Sequence, residues 1–218
     1  MAKSALVIGS TGATGTLITH KLIKSDEYSK IYIVHPVQTP FWSCTKVKEI
    51  VGAFDNLDAM LNDVPFVDDV FSCIGSTLKK AASIDAFYKI DCSYVLALGR
   101  WAKDRGVSSF HVISFFGADP KAINYYNRTK GLMEEGLKQM KLKSLSVYHP
   151  SLLVGRKNVR AVELAGYALL IVAKPLLVGS LRKYRPLHVK KLANAMFANS
   201  QSFSGAFQVV GSEDLQFF

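Results

Sequence analysis

The sequence predicts an α/β fold built on a doubly wound parallel sheet. Two observations carry this. Short β-branched or aromatic runs alternate with stretches of helical periodicity through most of the chain, and the first run feeds directly into a glycine-spaced turn that opens a helix. Strands alternating with helices form parallel sheets covered on both faces. The 218 residues suffice for one domain with a substantial core, and 49% hydrophobic against 20% charged residues is a globular composition. The expectation is a single domain over 1–218, with a small helical region towards the carboxyl end.

Ala5-Leu6-Val7-Ile8 is the first strand, Gly9 to Gly15 the turn, and Leu17, Ile18, Leu22 and Ile23 the apolar face of the first helix. Lys30–Val34, β-branched and aromatic, is the second strand and completes a βαβ unit. Lys46–Val51 reads as a third strand, Asp55–Leu61 as a short helix, and Val67–Ile74 as a fourth strand ending in Gly75. Ser83–Arg105 carries helical periodicity, and Gly106 is a suitable C-terminal cap. Ser109–Ile113 is a fifth strand, Asn124–Lys141 a helix and Leu145–Tyr148 a sixth strand, leading into Pro150–Val154. Beyond Gly155 the rhythm loosens. Ala161–Ala173 reads as a strongly apolar helix broken at Pro175, Val189–Ala198 as an amphipathic one, and Phe207–Val210 as the strand that closes the sheet. The ten uncharged residues Leu164–Ala173 are too few for a membrane span, which needs about twenty. A buried helix, or one covering a substrate, is expected there; a membrane-surface helix is the weaker alternative.

The spacing of Gly9, Gly12 and Gly15 is G-x-x-G-x-x-G, and no lysine follows Gly15, so this is not the loop that holds nucleotide β- and γ-phosphates. A strand, a glycine turn and a helix start together gather bare backbone N–H groups and the positive helix end at one point, which suits a diphosphate. Within a βαβ unit the arrangement is a Rossmann-type dinucleotide site, with Gly9, Ser10, Thr11, Gly12, Ala13, Thr14 and Gly15 at the diphosphate. An ordinary βα turn is the alternative. The end of the second strand should carry an acid for a free ribose 2′-hydroxyl or an arginine for a 2′-phosphate. Val34, His35 and Pro36 stand there instead. His35 either donates to a phosphate or is an exposed loop histidine, and the choice between NADP and NAD stays open.

Net charge is +10, with 27 Lys and Arg against 17 Asp and Glu. That balance favours anionic partners. The positive charges are scattered and no nucleic-acid motif accompanies them, so a nucleic-acid partner is not expected and a solvated basic surface is. Three cysteines (Cys44, Cys73, Cys92) without C-x-x-C spacing indicate neither a disulfide framework nor a zinc site. No signal peptide precedes the first strand, and a cytoplasmic location is expected.

Tyr126 and Lys130 stand four residues apart, on one face of a helix. A tyrosine, with an ordinary pKa of about 10, exchanges a proton poorly near neutrality. A neighbouring ammonium, together with a cationic nicotinamide, stabilises the phenolate. The phenol can then serve a substrate oxygen while hydride moves, and Lys130 can also bond the cofactor ribose. Ser114, at the end of the fifth strand, is a candidate second donor for the carbonyl. Their order along the chain (glycine turn, βαβ unit, Gly75, Ser114, Tyr126 and Lys130) strengthens each reading.

With these residues in hand the chain resembles an atypical short-chain dehydrogenase/reductase, and within that group the Tat-interacting-protein-like family and its small bacterial epimerase-like relatives. The resemblance rests on Gly9–Gly15, Phe71–Thr77, Phe87–Asp91, Ile113–Asp119, Tyr126–Gly131, His149–Arg156 and Tyr184–His188. It implies that Ile74 and Gly75 lie along the adenosine, that Ser114, Tyr126 and Lys130 form the catalytic set, and that Pro150, Leu152 and Leu153 pass the nicotinamide. Arg156 would meet a substrate or cofactor anion, or be a surface loop arginine. The chain departs from the family where Val34-His35-Pro36 replaces one or two arginines, where Phe115 replaces a second serine, and where His149 replaces an arginine.

The expected function is therefore NAD(P)(H)-dependent reduction of a small carbonyl, with NADP as cofactor and NAD an alternative. A dinucleotide-binding regulator or scaffold with little catalysis is the second reading. A sugar-nucleotide epimerase ranks last, because the chain offers roughly sixty residues after Gly155 for a substrate region. A homodimer is possible through the apolar helix.

Overall fold

A computed structural model describes residues 2–36, 44–77, 79, 81–155 and 179–218. Strands β1 (Lys3–Ile8), β2 (Tyr28–His35), β3 (Val47–Val51), β4 (Asp69–Ser72), β5 (Ser109–Ile113), β6 (Leu145–Tyr148) and β9 (Phe207–Val210) form one sheet of seven in the order β3-β2-β1-β4-β5-β6-β9. Every pairing in it is parallel. Two short strands, β7 (Leu153–Val154) and β8 (Leu187–His188), pair separately.

Parallel strands cannot be joined by tight turns, so each crossover carries helix to one face or the other. Helices α1 (Ala13–Lys24), α6 (Val189–Ser202) and α7 (Ser212–Leu215) cover one face. The other is covered by α2 (Leu57–Asn62), α4 (Tyr94–Asp104) and α5 (Tyr125–Gln139). The two-residue period of β1 divides accordingly. Ala5 and Val7 pack with Ile18, Leu22, Leu192 and Met196, whereas Leu6 and Ile8 pack with Val95, Leu98 and Leu61. A sheet buried on both faces has apolar residues at nearly every position, which is why these strands read as runs rather than alternations.

One exception lies inside the first of these layers. His111 of β5 is fully buried, stacked on Phe71 at 4.9 Å, with Nε2 2.8 Å from Ser109 Oγ and Nδ1 3.0 Å from Tyr148 Oη. Burial, and to a smaller extent the charge of Lys3, pushes its pKa down to about 3. Ser109 donates on to Asp69, which also accepts from Tyr28 at 2.6 Å. The chain of bonds crosses from β5 to α6 through Ser200 and Asn199, so each buried polar group in it has a partner.

The predicted elements are present with shifted ends. The second strand runs on to His35 because β3 pairs it there, His35 against Val51. The fourth is shorter than the apolar run, since Cys73 and Ile74 turn out of the sheet to pack on Gly9. The long helix over 83–105 is α3 (Ile84–Tyr88), a π-helical turn (Lys89–Ser93) and α4. The helix expected over 161–173 and Arg156 lie outside the described residues.

Candidate cofactor and active site

The strand order reverses between β1 and β4, each of which leads a different way across the sheet. In open α/β sheets the crevice at that reversal is where ligands bind. The glycine turn leaves β1 at this point. Gly9 has φ +82°, and a Cβ built on it would lie 2.6 Å from the carbonyl carbon of Cys73. A Cβ on Gly15 would lie 2.1 Å from Gly9 O. No other residue type fits either position without moving the backbone.

Helix α1 starts here with Gly12 as its N-cap, no side-chain cap and no acidic residue in its first turn. By contrast α5 is capped by Asn124, α3 by Ser83 and α6 by His188. Ser10 is fully buried and its hydroxyl has no partner among the described residues. Thr11 and Gly12 are exposed and Ala13 half-buried, while Thr14 and Gly15 are buried. An anion at the turn would complete the helix N-terminus that this sequence leaves uncapped. The residues present fit a dinucleotide diphosphate.

Across the crevice, Ile74 is buried and Gly75 follows it. A Cβ on Gly75 would lie 3.3 Å from Asp91 Oδ1 and 3.8 Å from Lys130 Nζ. Lys130 and Asp91 form an ion pair at 2.7 Å with side chains 3% and 0% exposed. The other Asp91 oxygen accepts from Ser76 N at 2.7 Å. Asp91 sits in the π-helical turn, and such turns are frequent at functional sites. One carboxylate thus ties the end of β4, the turn before α4 and the lysine of α5 together.

Tyr126, one helical turn before Lys130, is half-buried between rings. It stacks on Phe87 at 5.4 Å and meets Phe115 edge-on at 5.1 Å. The third position on this face of α5 is Glu134. Its Oε1 accepts from Ser114 Oγ and lies 2.8 Å from His149 Nε2. Ser114, 4% exposed, was expected to donate to a substrate carbonyl. Its one proton is committed to Glu134 instead, because the carboxylate stands where β5, β6 and α5 converge.

His35 also departs from expectation. It is neither an exposed loop residue nor turned to a phosphate: it is 1% exposed, with Nε2 2.8 Å from Glu49 Oε2. The cause is β3, which places Glu49 beside the end of β2. Pro150 is buried and its carbonyl accepts from Phe116 N at 3.1 Å. Leu152 is exposed and Leu153 half-buried in β7. Asp91, Glu134 and Glu49 were not singled out from sequence. Glu134 left a signal in the spacing Tyr126, Lys130, Glu134 on one helix face, and Asp91 closes the Phe87–Asp91 stretch of the resemblance.

Comparison with known proteins agrees with this fold. No protein-family model matches the chain. It is 29% identical over 154 residues to the HTATIP2 protein of Rattus norvegicus, covering 70% of this chain and 63% of that protein. To the FMP52 protein of Eremothecium gossypii it is 30% identical over 156 residues, covering 71% and 68%. The fold is shared with MoeE5 in complex with UDP-glucose and NAD, at TM-score 0.71 and 16% identity over 97% of this chain and 79% of that one.

The FMP52 relatives are named mitochondrial, which overturns the expectation of a cytoplasmic location. That expectation rested on the lack of a secretory leader pattern and on cysteine usage that suits a reducing compartment. No helix among the described residues is long and apolar enough to cross a membrane. With the glycine turn, the Tyr126–Lys130 face and a 30% identical relative covered over two thirds of its length, the chain belongs to the FMP52 and Tat-interacting-protein family of atypical short-chain dehydrogenases/reductases.

Proposed function

We propose that this chain is an NAD(H)-dependent oxidoreductase that reduces a carbonyl substrate, with Tyr126 as the proton donor and Lys130 as the group that orders the site. The observation that carries the reading is the buried Lys130–Asp91 pair beside Gly75, one helical turn from Tyr126. A lysine with no role at the crevice would be expected at the surface, since burying an ammonium is costly unless it is paired. Gly9 to Gly15 would hold the diphosphate. Ile74 and Gly75 would flank the adenosine, and Pro150, Leu152 and Leu153 the nicotinamide. When bound, the dinucleotide supplies or accepts a hydride.

Tyr126 gives its proton to the substrate oxygen as charge develops there. Lys130 is held towards Gly75 by Asp91, and would hold a ribose hydroxyl of the cofactor. Ser114, whose hydroxyl donates to Glu134, offers a substrate only its lone pairs, so among the described residues the donor role falls to the phenol.

The preference for NAD(H) over NADP(H) rests on charge. No lysine or arginine occurs between Lys30 and Lys46, and His35 is engaged by Glu49. A ribose 2′-phosphate would find a carboxylate near the end of β2 and no lysine or arginine in the sequence that follows before Lys46.

The test is Tyr126→Phe. Turnover of a carbonyl substrate should fall by at least about a hundredfold, while NADH affinity stays within about twofold, because the ring contacts with Phe87 and Phe115 survive. Unchanged turnover would remove Tyr126 from the chemistry. A second reading, a dinucleotide-responsive regulator, gains support from the same Ser114–Glu134 bond, which withdraws one donor from the site.

A further inference from the structure

On the reading of the previous subsection, we propose that the substrate is a planar conjugated carbonyl compound, an aryl aldehyde or a quinone, and not a nucleotide sugar. The loop after β5 carries two consecutive aromatic rings, the first of them against Tyr126. Phe115 meets Tyr126 edge-on at 5.1 Å, with an interplanar angle of 87°. Phe116 meets Tyr184 edge-on at 5.2 Å and 78°, and its backbone N–H is fixed to Pro150 O at 3.1 Å. The ammonium of Lys183 lies 5.6 Å from the centre of the Phe116 ring and 5.5 Å from that of Tyr184.

These rings connect the proposed proton donor on α5 to the segment before β8. Tyr184 is 46% exposed, so this run of rings reaches solvent.

Phenylalanine donates and accepts no hydrogen bond. Among the described residues, a sugar laid against these rings would leave water with most of its hydroxyls facing Phe115 and Phe116, which offer them no side-chain partner. A flat conjugated carbonyl needs one polar partner, the phenol of Tyr126. Its faces and edges suit rings that already meet edge-on, and Lys183 favours an anionic substituent on it. The step balances. The carbonyl carbon (or a ring carbon of a quinone) gains the hydride that the bound reduced dinucleotide would supply, and the oxygen gains the Tyr126 proton. An aldehyde thus gives the alcohol. A quinone gives a keto tautomer that becomes the hydroquinone as that carbon loses its proton to water and the second oxygen takes one up. The dinucleotide is left oxidised. Solvent then returns the proton to Tyr126.

The experiment has two readouts on the full chain. NADH binding is first measured by cofactor fluorescence. Ligand-observed NMR on protein saturated with NAD then compares phenanthrenequinone, para-carboxybenzaldehyde and UDP-glucose. NADH oxidation is measured with the same three compounds on wild type, Phe115→Leu and Phe115→Ser. Binding and reduction of an aryl carbonyl, with no response to UDP-glucose, is the expected result. KM for that compound should rise by about tenfold or more in Phe115→Ser and far less in Phe115→Leu, with NADH affinity unchanged in both.

Cofactor binding together with UDP-glucose binding and no aryl-carbonyl binding would overturn this proposal and leave the oxidoreductase reading standing. The same holds for a KM indifferent to Phe115→Ser. Failure to bind NADH would overturn both.

Discussion

Replacing Asp91 by alanine removes the carboxylate that joins three elements of the site. Two partners lose it at once: the Lys130 ammonium, 2.7 Å away with its side chain 3% exposed, and the Ser76 N–H, also at 2.7 Å. Stranding a buried charge costs about 3–5 kcal/mol. A chain of this size shifts its thermal midpoint by about 2–4 °C per kcal/mol, so Asp91→Ala should unfold about 6–20 °C earlier than wild type.

Lys130→Met strands the carboxylate instead and should cost about as much, eased only by the Ser76 bond that remains. The double variant removes both charges and retains the thioether side chain in the space. It leaves chiefly the Ser76 donor unpaired, worth about 1–3 kcal/mol. The double variant should therefore be more stable than the sum of the single losses by several kcal/mol, and no less stable than Asp91→Ala. Urea unfolding of the four proteins followed by circular dichroism closes this cycle. Additive losses, or an Asp91→Ala protein as stable as wild type, would refute the claim that a desolvated ion pair organises this site.

Other consequences follow from the same structure. Gly15→Ala would place a Cβ 2.1 Å from Gly9 O, so the turn must open. NADH affinity should drop by at least about a hundredfold, equivalent to about 2.7 kcal/mol, while far-UV circular dichroism barely changes; retained affinity would contradict a diphosphate at this turn. His111, its pKa lowered to about 3 by burial, makes stability depend on acid. A depressed folded-state pKa gives stability that is full above the unfolded value of about 6.5 and is lost as pH falls through 3, about 5 kcal/mol in all. Burial raises the pKa of Asp69, which works in the opposite sense as that carboxylate protonates. Urea midpoints from pH 7 to pH 4 should fall, and less steeply in His111→Gln; a flat wild-type profile would contradict a neutral buried imidazole.

What could be read from the sequence was local. The glycine turn, the βαβ unit around it and the face shared by Tyr126 and Lys130 depend on spacing within a few residues, and β1, α1 and α5 stand where those spacings put them. Ends and partners depend on distant segments. His35 reads as a loop residue until β3 places Val51 and Glu49 beside it. Ser114 reads as a free donor until α5 brings Glu134 to it from 20 positions away. Asp91 is one acid in a long helical stretch, and only the π-helical turn aims it at Lys130. The end of β4 was overextended for a similar reason: Cys73 and Ile74 are apolar enough for a strand, but the close approach of Gly9 turns them out of it.

The central claim is a dinucleotide held at the Gly9–Gly15 turn without a 2′-phosphate contact. Titration of the purified chain with NADH and then NADPH, following cofactor fluorescence, tests it most directly. The account predicts saturable NADH binding, tighter than NADPH by about tenfold or more, because β2 ends in a histidine engaged by Glu49 and no lysine or arginine follows before Lys46. A preference for NADPH would contradict that assignment of His35 and Glu49, and saturation by neither cofactor would contradict the dinucleotide site itself.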